Sequence, residues 1–342
     1  MHFRKNILDM KAYHPPLSGR WSSGQLLLDF NERVIPLPNV VMQKMAEWSP
    51  TGQSCVYPEY DGFIEILADY AKVPPESLFF GNGSDQLLDC IFRAVVDPGD
   101  KVLLPDPSFA MYPQCAQLTE AQICNYSMLD GDPLENLQNA LDDSIRMAVL
   151  CQPNNPTGSL IDLLAIKKLI ESHPQTWFLI DEAYYEFSKQ TLLETNPWPE
   201  NLVITRTFSK AFGMAALRLG YMRASRDMIE QCGKIRGPYD TNQFAIVAAR
   251  IALEHREEIL AYIDEVMGPS KTELENALKA RGIDFIPSFS NFILIPNPPK
   301  NLVEKLENAG IRIRRMSQPS LRGACRISIG DLAATEKLVK AL

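Results

Sequence analysis

Histidine is scarce in this 342-residue chain: four are present, at positions 2, 14, 173 and 255, and none forms a His-x-x-His pair. The seven cysteines (55, 90, 115, 124, 151, 232 and 325) include no Cys-x-x-Cys pair. A zinc site therefore has no ligand set to build on, and no metal is expected. The odd number and wide spacing also speak against a disulfide framework. Cys90 and Cys151 lie in apolar runs, where a reduced thiol packs as a small hydrophobe, so a reducing, cytoplasmic setting is expected. No stretch approaches eighteen uninterrupted apolar residues, and the first ten residues contain no apolar signal region, so neither membrane insertion nor export is expected. A Gly-x-Ser-x-Gly elbow is absent, which removes the usual hydrolase nucleophile. With a net charge of -8 and no basic stripe, the chain also lacks the electrostatic footprint of a nucleic-acid binder.

What is present is ordinary globular composition, 46% hydrophobic and 22% charged, in a chain long enough for more than one core. Residues 1–38 are rich in Pro, Ser and Gly and read as an extended arm with one strand-length run, Gln25 to Phe30. From residue 39 to 240 short apolar runs recur at Ser77–Phe80, Lys101–Leu104, Ala121–Met128, Met147–Cys151, Trp177–Asp181, Leu202–Thr205 and Leu219–Met222. Helical or loop segments separate them, which predicts an α/β unit with a mostly parallel seven-stranded sheet flanked by helices. Residues 241–342 change character: a long helical region from Gln243 to about Ala280, with an interruption near Gly268-Pro269, precedes strand runs at Ile283–Ile286, Asn291–Ile295, Ile311–Met316 and Ala324–Ile329. That pattern predicts a smaller α+β domain.

Five loops carry candidate chemistry. In Thr207-Phe-Ser-Lys-Ala, Lys210 sits among apolar neighbours that can depress its amine toward a neutral nucleophile for an aldehyde, while Thr207, Ser209 and Arg218 suit a phosphate monoester. A solvated loop lysine is the plainer alternative. Gly81-Asn-Gly-Ser-Asp85 opens a helix and can cradle an anion on Gly83, Ser84 or Asp85, or form an ordinary tight turn. Pro107-Ser-Phe-Ala-Met-Tyr112 offers Phe109, or else Tyr112, to stack on a planar ring, or to fill a loop-side core. Asn155 in Asn-Asn-Pro-Thr-Gly158 can aim its amide at a ligand oxygen, although turn chemistry alone accounts for the motif. Asp181 ends an apolar strand, where a buried carboxylate needs a cationic partner such as a protonated pyridine nitrogen, or serves as a helix cap. Tyr184 follows one turn later.

Together these motifs, with Arg218-Leu-Gly-Tyr221 and the tail Ile313-Arg-Arg-Met-Ser-Gln-Pro-Ser-Leu-Arg-Gly-Ala-Cys-Arg-Ile-Ser-Ile-Gly330, resemble the fold-type I aminotransferases that use pyridoxal 5'-phosphate. Within them the chain is most similar to the histidinol-phosphate aminotransferases. The resemblance implies that Lys210 holds the cofactor covalently and moves a proton. It further implies that Asp181 pairs with the ring nitrogen, Asn155 and Tyr184 with the ring oxygen, and Phe109 with the ring face. Gly83, Ser84, Asp85, Thr207, Ser209 and Arg218 would surround the phosphate. Tyr57 would reach the cofactor phosphate of a partner subunit, which implies a homodimer with an arm packed on the small domain and the partner. Arg314 and Arg326 would hold the anionic end of the substrate, and Tyr13, Asn31 and Asn242 would line its pocket. The implied reaction passes an amino group between glutamate and imidazole acetol phosphate, in histidine biosynthesis. The same residues are compatible with an aromatic or broad-specificity aminotransferase or a threonine-phosphate decarboxylase. Two departures, Asn31-Glu-Arg-Val34 and Tyr13-His-Pro-Pro16, fall in the arm, so the substrate is less firmly implied than the chemistry.

Overall fold

The computed structural model describes residues 2–12, 14–20, 22–48 and 55–342. The strands, in chain order, are β1 (Leu26–Leu28), β2 (Leu78–Gly81), β3 (Lys101–Asp106), β4 (Gln122–Ser127), β5 (Ile145–Cys151), β6 (Trp177–Asp181), β7 (Leu202–Thr207), β8 (Gly220–Arg223), β9 (Phe292–Ile295), β10 (Ile311–Arg315) and β11 (Cys325–Ser328). Among the described residues they form two sheets. The larger has seven strands in the order β2-β8-β7-β6-β5-β3-β4. Strands β7, β6, β5, β3 and β4 are mutually parallel, and β8 runs against both β7 and β2. The carboxyl ends of every strand of this sheet except β8 therefore meet along one edge.

Continuous apolar runs make these strands because both sheet faces are covered. Alternate side chains separate cleanly: Val102, Leu104, Met147, Val149, Leu179 and Val203 join one core, and Leu103, Ala148, Leu150, Phe178, Ile180 and Ile204 the other. Flanking helices begin at side-chain caps, Asp132 ahead of Pro133–Ala140, Asp162 ahead of Leu163–Ser172 and Ser225 ahead of Arg226–Ile235. The helix Gln243–Glu254 packs its alanine-rich face into the core of the large sheet, beside Phe63 and Leu67.

The smaller sheet has the order β1-β10-β11-β9, with β1 parallel to β10 and the others antiparallel. The Gln25 to Phe30 run thus joins the carboxyl-terminal strands across the whole sequence. Farther upstream, the helix Lys5–Asp9 lies on the helix Met111–Leu118, where Asn6 Nδ2 donates to Gln117 O at 3.2 Å. Two expectations change. Ile283–Ile286 makes only a single bridge, Ile286 to Leu294, because Pro287 follows with no N–H to extend a ladder. Gly268-Pro269 does not interrupt the helix: Val266–Ser270 widens into a π turn that absorbs the missing proline N–H, and the break falls earlier, at His255.

Candidate active site

The shared carboxyl edge of the large sheet faces the small sheet across a cavity of about 250 Å³. Its wall includes Phe30, Asn31, Ser84, Asp85, Phe109, Asn155, Asp181, Tyr184, Thr207, Ser209, Lys210, Arg218, Arg314 and Arg326. The large-sheet groups come from the carboxyl ends of β2, β3, β5, β6 and β7 or the loops that follow them, as in open α/β sheets.

Lys210 follows β7 and is half-buried; its Nζ donates to Phe30 O at 2.8 Å. Burial, then the nearby Arg326 guanidinium, brings its pKa down to about 8, against the opposing pull of Glu32 and Asp85. Near neutrality a useful fraction of the amine is therefore free to act as a nucleophile. Asp181 ends β6 with a 3% exposed side chain. Its Oδ2 accepts from the Tyr112 hydroxyl at 2.7 Å, and its Oδ1 from Ala183 N at 3.1 Å and Thr205 Oγ1 at 3.2 Å. Burial raises its pKa to about 6 despite these donors. Among the described residues no lysine, arginine or histidine pairs with it.

An anion cup lies beside Lys210. Gly83 is the N-cap of the helix Ser84–Val95 with φ 79°, and no side chain caps that end. The glycine is favoured by its left-handed backbone, and a side-chain methyl there would displace the Arg218 guanidinium from the cup. Arg218 Nη1 donates to Ser209 Oγ at 3.1 Å and Nη2 to Asp85 Oδ2 at 2.9 Å, and Thr207 Oγ1 donates to Ser209 Oγ at 3.0 Å. The cup thus gathers two hydroxyls, a guanidinium and a helix amino end at one place.

The small sheet contributes two cations. Antiparallel pairing sets Arg314 directly opposite Arg326, which places both on the sheet face toward the cavity. Arg326 Nη2 donates to Asp29 O at 2.8 Å, and Nη1 to Asn155 Oδ1. Two neighbouring arginines of β10 go elsewhere: Arg312 pairs with Asp29, and Arg315 with Glu304 at the surface.

Not every expected residue reaches this cavity. Asn242 caps the helix Gln243–Glu254, accepting from Ala245 N at 2.8 Å and donating to Leu217 O at 3.0 Å, and is not on the cavity wall. Tyr57 is 73% exposed and stacks on Tyr239 with ring centroids 4.2 Å apart, also off the wall. Tyr13 lies outside the described residues. Phe109 lines the cavity, whereas Tyr112 is wholly buried behind it and serves Asp181 instead. That hydrogen bond, the Thr205 contact and the Phe30 carbonyl escape a reading by motif.

A second buried polar cluster lies away from the cavity wall. The Arg206 guanidinium is held by Glu182 Oε2 at 2.9 Å, and Tyr70 donates to Glu186 Oε1 at 3.2 Å.

Comparison with known proteins agrees with this geometry. The histidinol-phosphate aminotransferase of Caldanaerobacter subterraneus is 34% identical over 325 residues, covering 92% of this chain and 91% of that one. A dihydroxyacetone phosphate transaminase of Campylobacter jejuni is also 34% identical, over 96% of this chain and 93% of its own. The crystal structure of histidinol-phosphate aminotransferase from Sinorhizobium meliloti with pyridoxal-5'-phosphate superposes with a TM-score of 0.89 at 23% identity, covering 99% of this chain and 96% of that one. Residues 20–342 match the model for aminotransferase class I and II, and the chain belongs to that family.

Proposed function

We propose that this protein is a pyridoxal 5'-phosphate-dependent transaminase that passes the amino group of glutamate, which leaves as 2-oxoglutarate, to imidazole acetol phosphate, which becomes histidinol phosphate. The observation that carries the cofactor is Asp181, a buried carboxylate beside which no cation stands among the described residues. A protonated pyridine nitrogen would supply that cation, and the anion cup at Gly83, Ser84, Thr207, Ser209 and Arg218 would take the phosphate. When bound, the cofactor supplies an electron sink for the carbanion formed as a substrate Cα loses its proton. Lys210, with its lowered pKa, is the group that would attach the cofactor and afterwards carry that proton. Phe109 would lie against the ring face, and Tyr184 and Asn155 would stand at the ring oxygen. Arg314 and Arg326 would bind the substrate anion, and a guanidinium fork fits a carboxylate in one half-reaction and a phosphate in the other.

The Caldanaerobacter relative supports histidinol phosphate. The equally similar Campylobacter relative favours a second reading, with dihydroxyacetone phosphate as amino acceptor. Both names share a phosphate monoester, which is what the paired arginines would recognise. Visible absorbance of the cofactor-loaded protein tests these readings. Glutamate should bleach it, and imidazole acetol phosphate should restore it. Restoration by dihydroxyacetone phosphate alone would replace the substrate, and no response to glutamate would remove the transaminase reading.

A homodimer belongs to the same proposal. Tyr57 and Tyr239 form an exposed aromatic pair off their own cavity, as a residue serving a partner's site would be. Sedimentation equilibrium should return twice the chain mass, and a monomer at micromolar concentration would remove Tyr57 from the site.

A further inference from the structure

Asn31 sits in the arm at φ 57°, with its side chain almost completely buried. Its backbone N–H donates to Ser328 Oγ at 2.9 Å, and that hydroxyl in turn donates to Asn31 Oδ1 at 3.0 Å. The amide nitrogen then donates to the Tyr184 hydroxyl oxygen at 2.9 Å. A backbone N–H can only donate, so the direction of the whole chain is set from its first link. Turning the amide over would crowd two N–H donors onto Ser328 Oγ and leave the hydroxyl hydrogen of a fully buried serine without its acceptor. The backbone is held as well, since Asn291 Nδ2 donates to Asn31 O at 3.1 Å. Tyr184 therefore receives a hydrogen bond from Asn31 and keeps its own hydrogen. Among the described residues no acceptor takes that hydrogen, and Tyr184 stands on the cavity wall.

We infer that Asn31 is a positioning residue that makes Tyr184 an obligatory hydrogen-bond donor into the cavity, rather than a ligand of the substrate. The inference rests on the cofactor reading above, in which the acceptor is the ring oxygen of pyridoxal 5'-phosphate. A donor there draws negative charge from that oxygen and weakens its hold on the neighbouring proton at the Lys210 nitrogen. Other charged and titratable groups face the same proton and stay unchanged in the comparison: Arg326, Arg218, Glu32 and Asp85 around Lys210, and Asp181 and the neutral Cys151 thiol around Tyr184.

The test is the pH midpoint of the visible absorbance change of the cofactor-loaded protein. Tyr184→Phe should move it up by about one pH unit, a tenfold tighter proton. Asn31→Gly should move it in the same direction, because glycine accepts the left-handed backbone and removes the donor without adding charge. In the Tyr184→Phe background, Asn31→Gly should add nothing. Ser328→Ala, which leaves Asn31 in place, should give a smaller upward shift that also vanishes with Phe at 184. Additive shifts, or an Asn31→Gly variant that changes only KM, would overturn the inference. Failure of the native protein to acquire a visible band with pyridoxal 5'-phosphate would overturn the cofactor reading, and this inference with it.

Discussion

Asp181 shows how a residue's role depends on what stands behind it. The Tyr112 hydroxyl, Thr205 hydroxyl and Ala183 N–H all favour its ionised form, yet burial outweighs them and its pKa is up at about 6. The Tyr112 hydrogen bond is the strongest of these opposing influences, and its ring has no exposed surface to lose. Tyr112→Phe keeps the packing and deletes the donor. Without it the carboxylate should hold its proton to a higher pH, by roughly one unit. Since the proposed cofactor requires the ionised carboxylate, the pH below which pyridoxal 5'-phosphate affinity declines should rise by the same amount. A fluorescence titration of the apoprotein at several pH values measures this, and an unmoved midpoint would show that Tyr112 only fills space.

Elements are legible in the sequence where one physical cause dominates them. Strands β5, β6 and β7 are buried on both faces and read as unbroken apolar runs, and the helix Leu163–Ser172 announces itself by Asp162 and an apolar stripe. The helix Met111–Leu118 does not: Pro113 and two glutamines interrupt its stripe, and it forms because Tyr112, Cys115 and Ala116 are buried under the sheet edge. The arm is similar. Nothing local in Leu26–Leu28 shows that its partner is Ile311–Ile313, since parallel pairing at that separation is decided by the assembled core. Within the site, groups that must follow a strand end are readable as motifs, because each lies next to its apolar run. The links between them are not. Phe30 O to Lys210, Asn31 to Tyr184 and Tyr112 to Asp181 join segments far apart in sequence; the first two appear only once the two sheets face one another, and the third only once β3 and β6 lie in one sheet.

At the scale of the whole molecule, the buried cluster behind β6 and β7 ties stability to pH. Glu182 and Glu186 share one cation, Arg206, which is committed to Glu182 through two of its nitrogens and lies over the Tyr185 ring. Glu186 is left with Tyr70 as its hydrogen-bond donor, and burial carries its pKa up to about 7. In the unfolded chain the same carboxyl releases its proton near 4.5. Between those values the folded state binds the extra proton, so its stability falls as pH rises from about 4.5 to about 7 and is level beyond. Glu186→Gln keeps an acceptor for Tyr70 and cannot ionise, so it escapes this loss. The variant should therefore gain on the native protein across that window, by about 3 kcal/mol in all. Denaturant unfolding of both proteins at intervals from pH 4.5 to 8 gives the difference directly, and the other titrating groups cancel in it. A difference that stays constant across the window would mean that Glu186 holds its proton no more tightly in the folded protein than in the unfolded chain.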